Sequence, residues 1–433
     1  MDTLCMILQL IASLSLLVIV HEFGHFIAAR AFKMRVEKFY LFFNPWFTVF
    51  RHKPKNSETE YGLGWLPLGG YVKIAGMVDE SMDKEMLKRE PQPWEYRSKP
   101  AWQRLCVSVA GILFNFITAI IIYAGICYSW GDSYLPLKNL NDGFVFSETA
   151  KRAGFQDGDM LSKADGKTLE TYDEDMFRSI IDAKSVIVIR DGKEVEITMP
   201  ENFMDSIMKY QDYIASYRIR FVIDSAITGS PCAIAGLQSG DSVVAINGKE
   251  VFYSDCVNEF SKSAGKPVNL TLVRAGKSMT LQVTPDENGK IGAYVKTPKT
   301  ELRKYTLLES IPAGIGKGVD KLTSYVSDFK YVFSAEGVKQ MGGFASIASL
   351  YPSSFNWYAF WSITAFLSVI LAFMNILPIP ALDGGHAMFE LYEIVFRKKP
   401  SEKFKEKAQM AGMMFLLFLM IYAQMNDVIR FLF

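Results

Sequence analysis

His21, Glu22 and His25 share one five-residue stretch, His21-Glu22-Phe23-Gly24-His25, and its setting matters as much as its content. An apolar run over residues 6–20, broken only by Gln9 and two serines, precedes it, and apolar residues resume at Phe26. The pattern predicts one long hydrophobic helix that carries two imidazoles and a carboxylate. Residues four apart lie on one helix face, about 6 Å apart along the axis. Two imidazoles so placed can bind one Zn²⁺, and the glutamate between them can take a proton from an attacking water. Each ionisable group inside a membrane helix costs roughly 2.5–3.5 kcal/mol, so three together call for a function.

A third ligand has to come from elsewhere. Residues 357–377 form another apolar stretch that runs into Asn375, Pro378, Pro380, Leu382, Asp383, Gly384, Gly385 and His386. Two prolines at that spacing end a regular helix, and a carboxylate held after the break can turn toward a metal. The competing reading makes Asp383 the cap of a helix over residues 387–396. The chain has only four histidines, which leaves His386 as the next ligand candidate should Asp383 be a cap. Two nitrogens and one oxygen from His21, His25 and Asp383 would leave a position open for water, the mark of a catalytic zinc site.

The elements that must position these groups are spans of a membrane. With 433 residues several domains are expected, and 50% hydrophobic with 14% aromatic residues points to a membrane protein carrying soluble modules. A net charge of +1 leaves no footprint for nucleic acid. Five cysteines show no metal-ligand spacing, and their odd number argues against a disulfide framework. Cys232 and Cys256 read as small buried hydrophobes, although an oxidising compartment would let them pair.

The expected fold is a polytopic α-helical membrane protein with four transmembrane helices. The first span occupies residues 1–32 and the second 105–128. Residues 357–396 hold the third span with its Asp383 segment, and residues 397–433 hold a basic loop and the fourth. Residues 33–104 form a loop containing a membrane-associated β-hairpin, 61–76. Gly69, Gly70 and Tyr71 of this hairpin could pair with an extended peptide, with a side-chain hydrogen bond from Asn375. Asn115, in the second span, could line a polar interior, although a bond to a neighbouring helix is the expectation. Residues 298–356 suggest an amphipathic helix lying on the membrane surface or on the soluble region.

That soluble region contains a repeat. Ala153-Gly-Phe-Gln-Asp-Gly-Asp159 matches Ala235-Gly-Leu-Gln-Ser-Gly-Asp241, and Asp165-Gly-Lys167 then matches Asn247-Gly-Lys249 at the same offset. Arg190 and Arg274 open a further matching stretch. The pattern resembles PDZ domains, which implies two tandem α+β domains at 129–215 and 216–297, each with a sheet edge where a peptide could add a strand. A charged stretch from Glu170 to Arg178 reads as an insertion that makes the first copy the weaker binder.

Lysine and arginine crowd the loops at 33–100 and 397–407 and are absent before the first span. Both loops therefore face the cytoplasm, and the repeat faces outward. The first and third spans then run the same way, bringing His21, His25 and Asp383 to a similar depth near the cytoplasmic side.

Taken together, these motifs resemble the site-2 protease family of intramembrane zinc metalloproteases. The resemblance is carried by the HExxH helix, Pro67 to Val72, the Ala110-Gly111 and Asn115-Phe116 pairs, the Asn375 to Gly385 segment, and Asn426-Asp427. It implies zinc ligation by His21, His25 and Asp383, with Glu22 as general base. It further implies residence in the inner membrane, a periplasmic PDZ pair that filters or binds substrate, and single-span substrates. Those substrates would be products of an upstream site-1 protease, including anti-sigma factors and remnant signal peptides. A catalytically inactive, membrane-anchored PDZ scaffold is the alternative.

Overall fold

The computed structural model describes residues 2–77, 90–332 and 334–432. The chain divides into two compact units, one formed by Met1–Gly131 with Lys304–Phe433 and the other by Asp132–Arg303.

Among the described residues the first unit has four helices long and apolar enough to cross a membrane. They are α1 (Asp2–Ala31), α2 (Ala101–Trp130), α4 (Trp357–Ile376) and α6 (Glu402–Leu432), joined by α3 (Leu307–Val332) and α5 (Asp383–Phe396). A helix satisfies its own backbone polar groups, which lipid cannot do for it. What lipid also lacks is a hydrophobic drive between helices, so small and hydroxylated residues hold the bundle together. Ser13 and Thr364 hydroxyls meet at 2.6 Å between α1 and α4, and the Ser368 hydroxyl donates to the Asn115 carbonyl of α2 at 2.7 Å. At Gly24 a Cβ would lie 2.7 Å from the Ala110 carbonyl oxygen, so α1 and α2 touch backbone to backbone there. The far end of α6 is held by Asp427, which accepts from the Ala345 and Ser346 amides, while Asn426 donates to the Met341 carbonyl.

Helix α3 departs from the sequence expectation of a surface helix. Its buried face is Ser310, Gly314 and Gly318, and a Cβ at Gly314 would lie 2.5 Å from the Ala124 amide of α2. Spacing of four puts small residues on one stripe, so α3 packs along α2 and leaves Leu308, Ile311, Ile315 and Val319 exposed.

The expected hairpin at 61–76 is also different. Strands β1 (Val36–Phe43), β2 (Phe50–His52), β3 (Glu60–Leu63) and β4 (Leu66–Ile74) form one sheet in the order β2-β3-β1-β4. The two arms of the anticipated hairpin thus flank β1, parallel to it on one side and antiparallel on the other. Strand β4 is one edge of the sheet, and it lies close against α1 because residue 70 is glycine. A Cβ there would come within 2.9 Å of Val18 Cγ1.

In the second unit the repeat is structural. Each copy buries its own apolar core, one built around Phe144, Ile180 and Val188, the other around Ile223, Leu270 and Leu272. Arg190 grips both Asp159 oxygens at 2.7 Å and the Gly154 carbonyl at 2.9 Å. Arg274 repeats those contacts on Asp241 and Gly236 at the same distances. The backbone N–H groups of Gln156 and Gln238 donate to the same aspartates. The matched sequence stretches therefore meet in space as one bidentate clamp per copy. The stretch from Glu170 to Arg178 is no insertion. It leads into helix Glu174–Asp182, whose counterpart is Tyr253–Lys262. The first copy's extra element is helix Phe203–Tyr210, which has no counterpart among the described residues between strands Lys277–Val283 and Ala293–Val295. Cys232 and Cys256 are both free and buried.

Arg274→Ala strands the fully buried Asp241 carboxylate and should weaken the second copy by about 3 kcal/mol. That is roughly a hundredfold in its opening equilibrium. Thiol labelling of Cys232 and Cys256 in the full chain should accelerate accordingly, and Arg190→Ala should leave it unchanged. Equal labelling in the two variants would contradict a clamp that serves its own copy. Acid acts in the same direction. The Arg274 guanidinium holds the Asp241 carboxyl below its ordinary value of 3.8. The clamp's contribution is therefore complete above that value and is lost as pH falls through the lowered one.

Candidate metal centre

Helix α1 carries His21, Glu22 and His25 on the face turned toward α2, β4 and α5. Asp383 reaches them through a built break in the chain. Helix α4 stops at Ile376, before Pro378 and Pro380, and Ala381 adopts a positive φ of 88°. Gly384 and Gly385 let α5 begin hard against that break, since a Cβ at Gly385 would lie 2.5 Å from the Ile379 carbonyl oxygen. Helix α5 starts at Asp383 itself, and its N-cap is Leu382, which makes no side-chain cap bond. The capping role weighed for Asp383 is therefore not the one it plays. An ion pair of 2.6 Å between Arg104, only 2% exposed on α2, and Glu393 ties α5 to the bundle.

The three expected ligands come together. His21 Nε2 and His25 Nε2 lie 3.0 and 3.2 Å from Asp383 Oδ2, and 3.2 Å from each other. Among the described residues these are the His, Cys, Asp and Glu side chains grouped closely enough to hold a metal. His386 is outside the group and instead bonds Gln409 at 2.8 Å. His52 lies exposed on β2.

The cluster opens onto a cavity of about 660 Å³. One wall is α1 with Val18 and Glu22, and another is β4 from Gly69 to Ile74, including Gly70 and Tyr71. Asn375, His386, Gln409 and Met413 close the far side. Val72 of β4 and Glu22 of α1 both line this cavity. The expected base and the open strand edge thus face the same space.

Three residues that shape the centre were not singled out for it by sequence, and all lie on α2. Val107 offers its carbonyl to His25 Nδ1 at 2.8 Å. Gly111 leaves room for both rings, because a Cβ there would lie 2.7 Å from His21 Cε1. Asn115, expected to bond a helix through its side chain, places its amide 3.2 Å from His21 Nδ1. Their spacing of four was visible in the sequence, but only the crossing of α1 and α2 shows what it faces.

The donor set fits a zinc ion. His25 donates its Nδ1 proton to Val107, so in the neutral ring Nε2 is the lone pair that faces the cluster. Asp383 Oδ2 is buried and, despite its two short approaches, makes no hydrogen bond. Two imidazole nitrogens and a carboxylate oxygen converging this closely are a site for a borderline cation such as Zn²⁺.

Comparison with known proteins identifies the family. The model of peptidase family M50 matches residues 9–419. The chain is 29% identical to the regulator of sigma E protease of Haemophilus influenzae, over 97% of this chain and 98% of that protein. It is 29% identical to metalloprotease MmpA of Caulobacter vibrioides, over 99% and 96%. A Neisseria meningitidis protein assigned as a zinc metalloprotease is 28% identical over 98% and 99%. With a family match from the first span to the last, the chain belongs to peptidase family M50, the site-2 proteases.

Proposed function

We propose that this protein is an intramembrane zinc metalloprotease with His21, His25 and Asp383 as ligands and Glu22 as general base. The observation that carries the reading is the convergence of three ligand side chains, His21, His25 and Asp383, from opposite ends of the chain, beside Glu22 and an open strand edge. When bound there, zinc would lower the pKa of the attacking water and polarise the scissile carbonyl. Glu22 would take the proton from that water and return it to the leaving amine. A substrate helix has to unwind before attack, and its freed amides need partners in lipid. Gly69, Gly70 and Tyr71 on the β4 edge would pair with the unwound strand, and Asn375 would add a side-chain hydrogen bond from across the cavity.

The substrates in this reading are single-span membrane proteins already shortened by an earlier, site-1-type cut, such as anti-sigma factors and remnant signal peptides. Likeness to a regulator of sigma E protease over nearly the whole chain supports that class. The protein would lie in the inner membrane with its centre near the cytoplasmic side, as the basic loops at 33–100 and 397–407 favour. The repeat would then face the periplasm as a PDZ pair that filters or binds what approaches.

Glu22→Gln should retain zinc while cleavage of a shortened single-span substrate falls by about 10²- to 10⁴-fold. Wild-type cleavage by that variant would contradict the base assignment. Asp383→Asn should weaken zinc binding by more than the roughly 10–100-fold typical of losing a ligand's outer partner. Unchanged zinc content would return Asp383 to a structural role. Gly111→Ala should lower zinc occupancy in a chain that still folds, because the new methyl displaces the imidazoles. Full occupancy would show that the α1–α2 contact is looser than the structure has it.

A further inference from the structure

Asn115 is 1% exposed on α2, in an apolar bundle where an amide costs several kcal/mol unless it is bonded. Its contact with α4 uses the backbone carbonyl, which accepts from Ser368, and so places no demand on the side chain. The side chain instead lies 3.2 Å from His21 Nδ1, with Nδ2 toward the ring and Oδ1 buried without a partner.

His21 can offer Nε2 to a metal only as the neutral tautomer that keeps its proton on Nδ1. That proton needs an acceptor. For His25 the acceptor is the Val107 carbonyl at 2.8 Å. For His21 the group in the corresponding place is the Asn115 amide, eight residues further along the same helix. A half-turn of the amide exchanges oxygen and nitrogen with little change of shape, and the two ends are distinguished only by their bonding. With Nδ2 facing the ring, the His21 proton is driven to Nε2 and the ligand atom is blocked. With Oδ1 facing the ring, Nδ1–H is accepted and Nε2 is freed.

We infer that Asn115 is a positioning residue whose amide oxygen accepts the Nδ1 proton of His21, fixing both the tautomer and the ring plane in which Nε2 can bind zinc. The inference rests on His21 being a metal ligand. Partners of this kind raise ligand basicity and orient the ring, and losing one typically costs roughly 10–100-fold in metal affinity.

The test is zinc affinity of the full chain in detergent, measured by chelator competition, with the visible spectrum of the Co²⁺-substituted protein as a second readout. Asn115→Leu keeps the volume and loses the acceptor, so affinity should fall by about 10–100-fold and the cobalt bands should shift. Asn115→Asp keeps an acceptor and should restore affinity and spectrum to near wild type. If the leucine variant does not fold, Asn115→Ala takes its place beside Asn115→Asp. Wild-type affinity and spectrum in the variant without an acceptor would overturn the inference. So would equal losses in the aspartate and acceptor-free variants, since that pattern marks packing. A wild-type chain that takes up no zinc would instead contradict the metal centre itself.

Discussion

Two imidazole nitrogens and one carboxylate oxygen face each other within about 3 Å in an apolar bundle. Removing three polar groups from water is costly, and a cation among their lone pairs would offset that cost. The rest of the first unit reads as the means of holding that cluster together. Helix α1 sets the two nitrogens one turn apart, α2 supplies the partners behind the rings, and the broken end of α4 delivers the oxygen.

Small residues make this convergence possible. Gly24 and Gly111 bring α1 and α2 into backbone contact where the rings must fit between them. Gly70 lays the β4 edge on α1, and Gly384 with Gly385 folds the start of α5 onto the proline break. At each place a side chain would push apart elements that have to touch. Glycine costs helix propensity, yet in lipid that loss is offset by the close packing that drives helix association.

Much of this was legible in the sequence, and the limits have physical causes. The HExxH pair is local, so spacing alone placed His21 and His25 on one helix face with Glu22 between them. Asp383 was legible because two prolines announce a break, while its choice between cap and ligand needed the fold. The repeat was legible as matched stretches, but not the clamp in which Arg190 and Arg274 close on aspartates about 30 residues earlier. Strand order was missed because Val36–Phe43, a short aromatic-rich run, carries little periodicity, and its insertion between β3 and β4 is a long-range choice. Helix α3 was misjudged because its charges suggested a surface, whereas the stripe of Ser310, Gly314 and Gly318 decides where it packs. For Asn115 nothing in the sequence distinguishes a helix contact from a contact to His21.

X-ray absorption at the zinc edge of the purified full-length protein tests the central claim most directly, because it counts the ligands without reference to activity. The account predicts two imidazole nitrogens and a carboxylate oxygen among the ligands, all near 2.0–2.2 Å, with no sulfur. A third imidazole, which would bring in His386, or a thiolate at about 2.3 Å would contradict it.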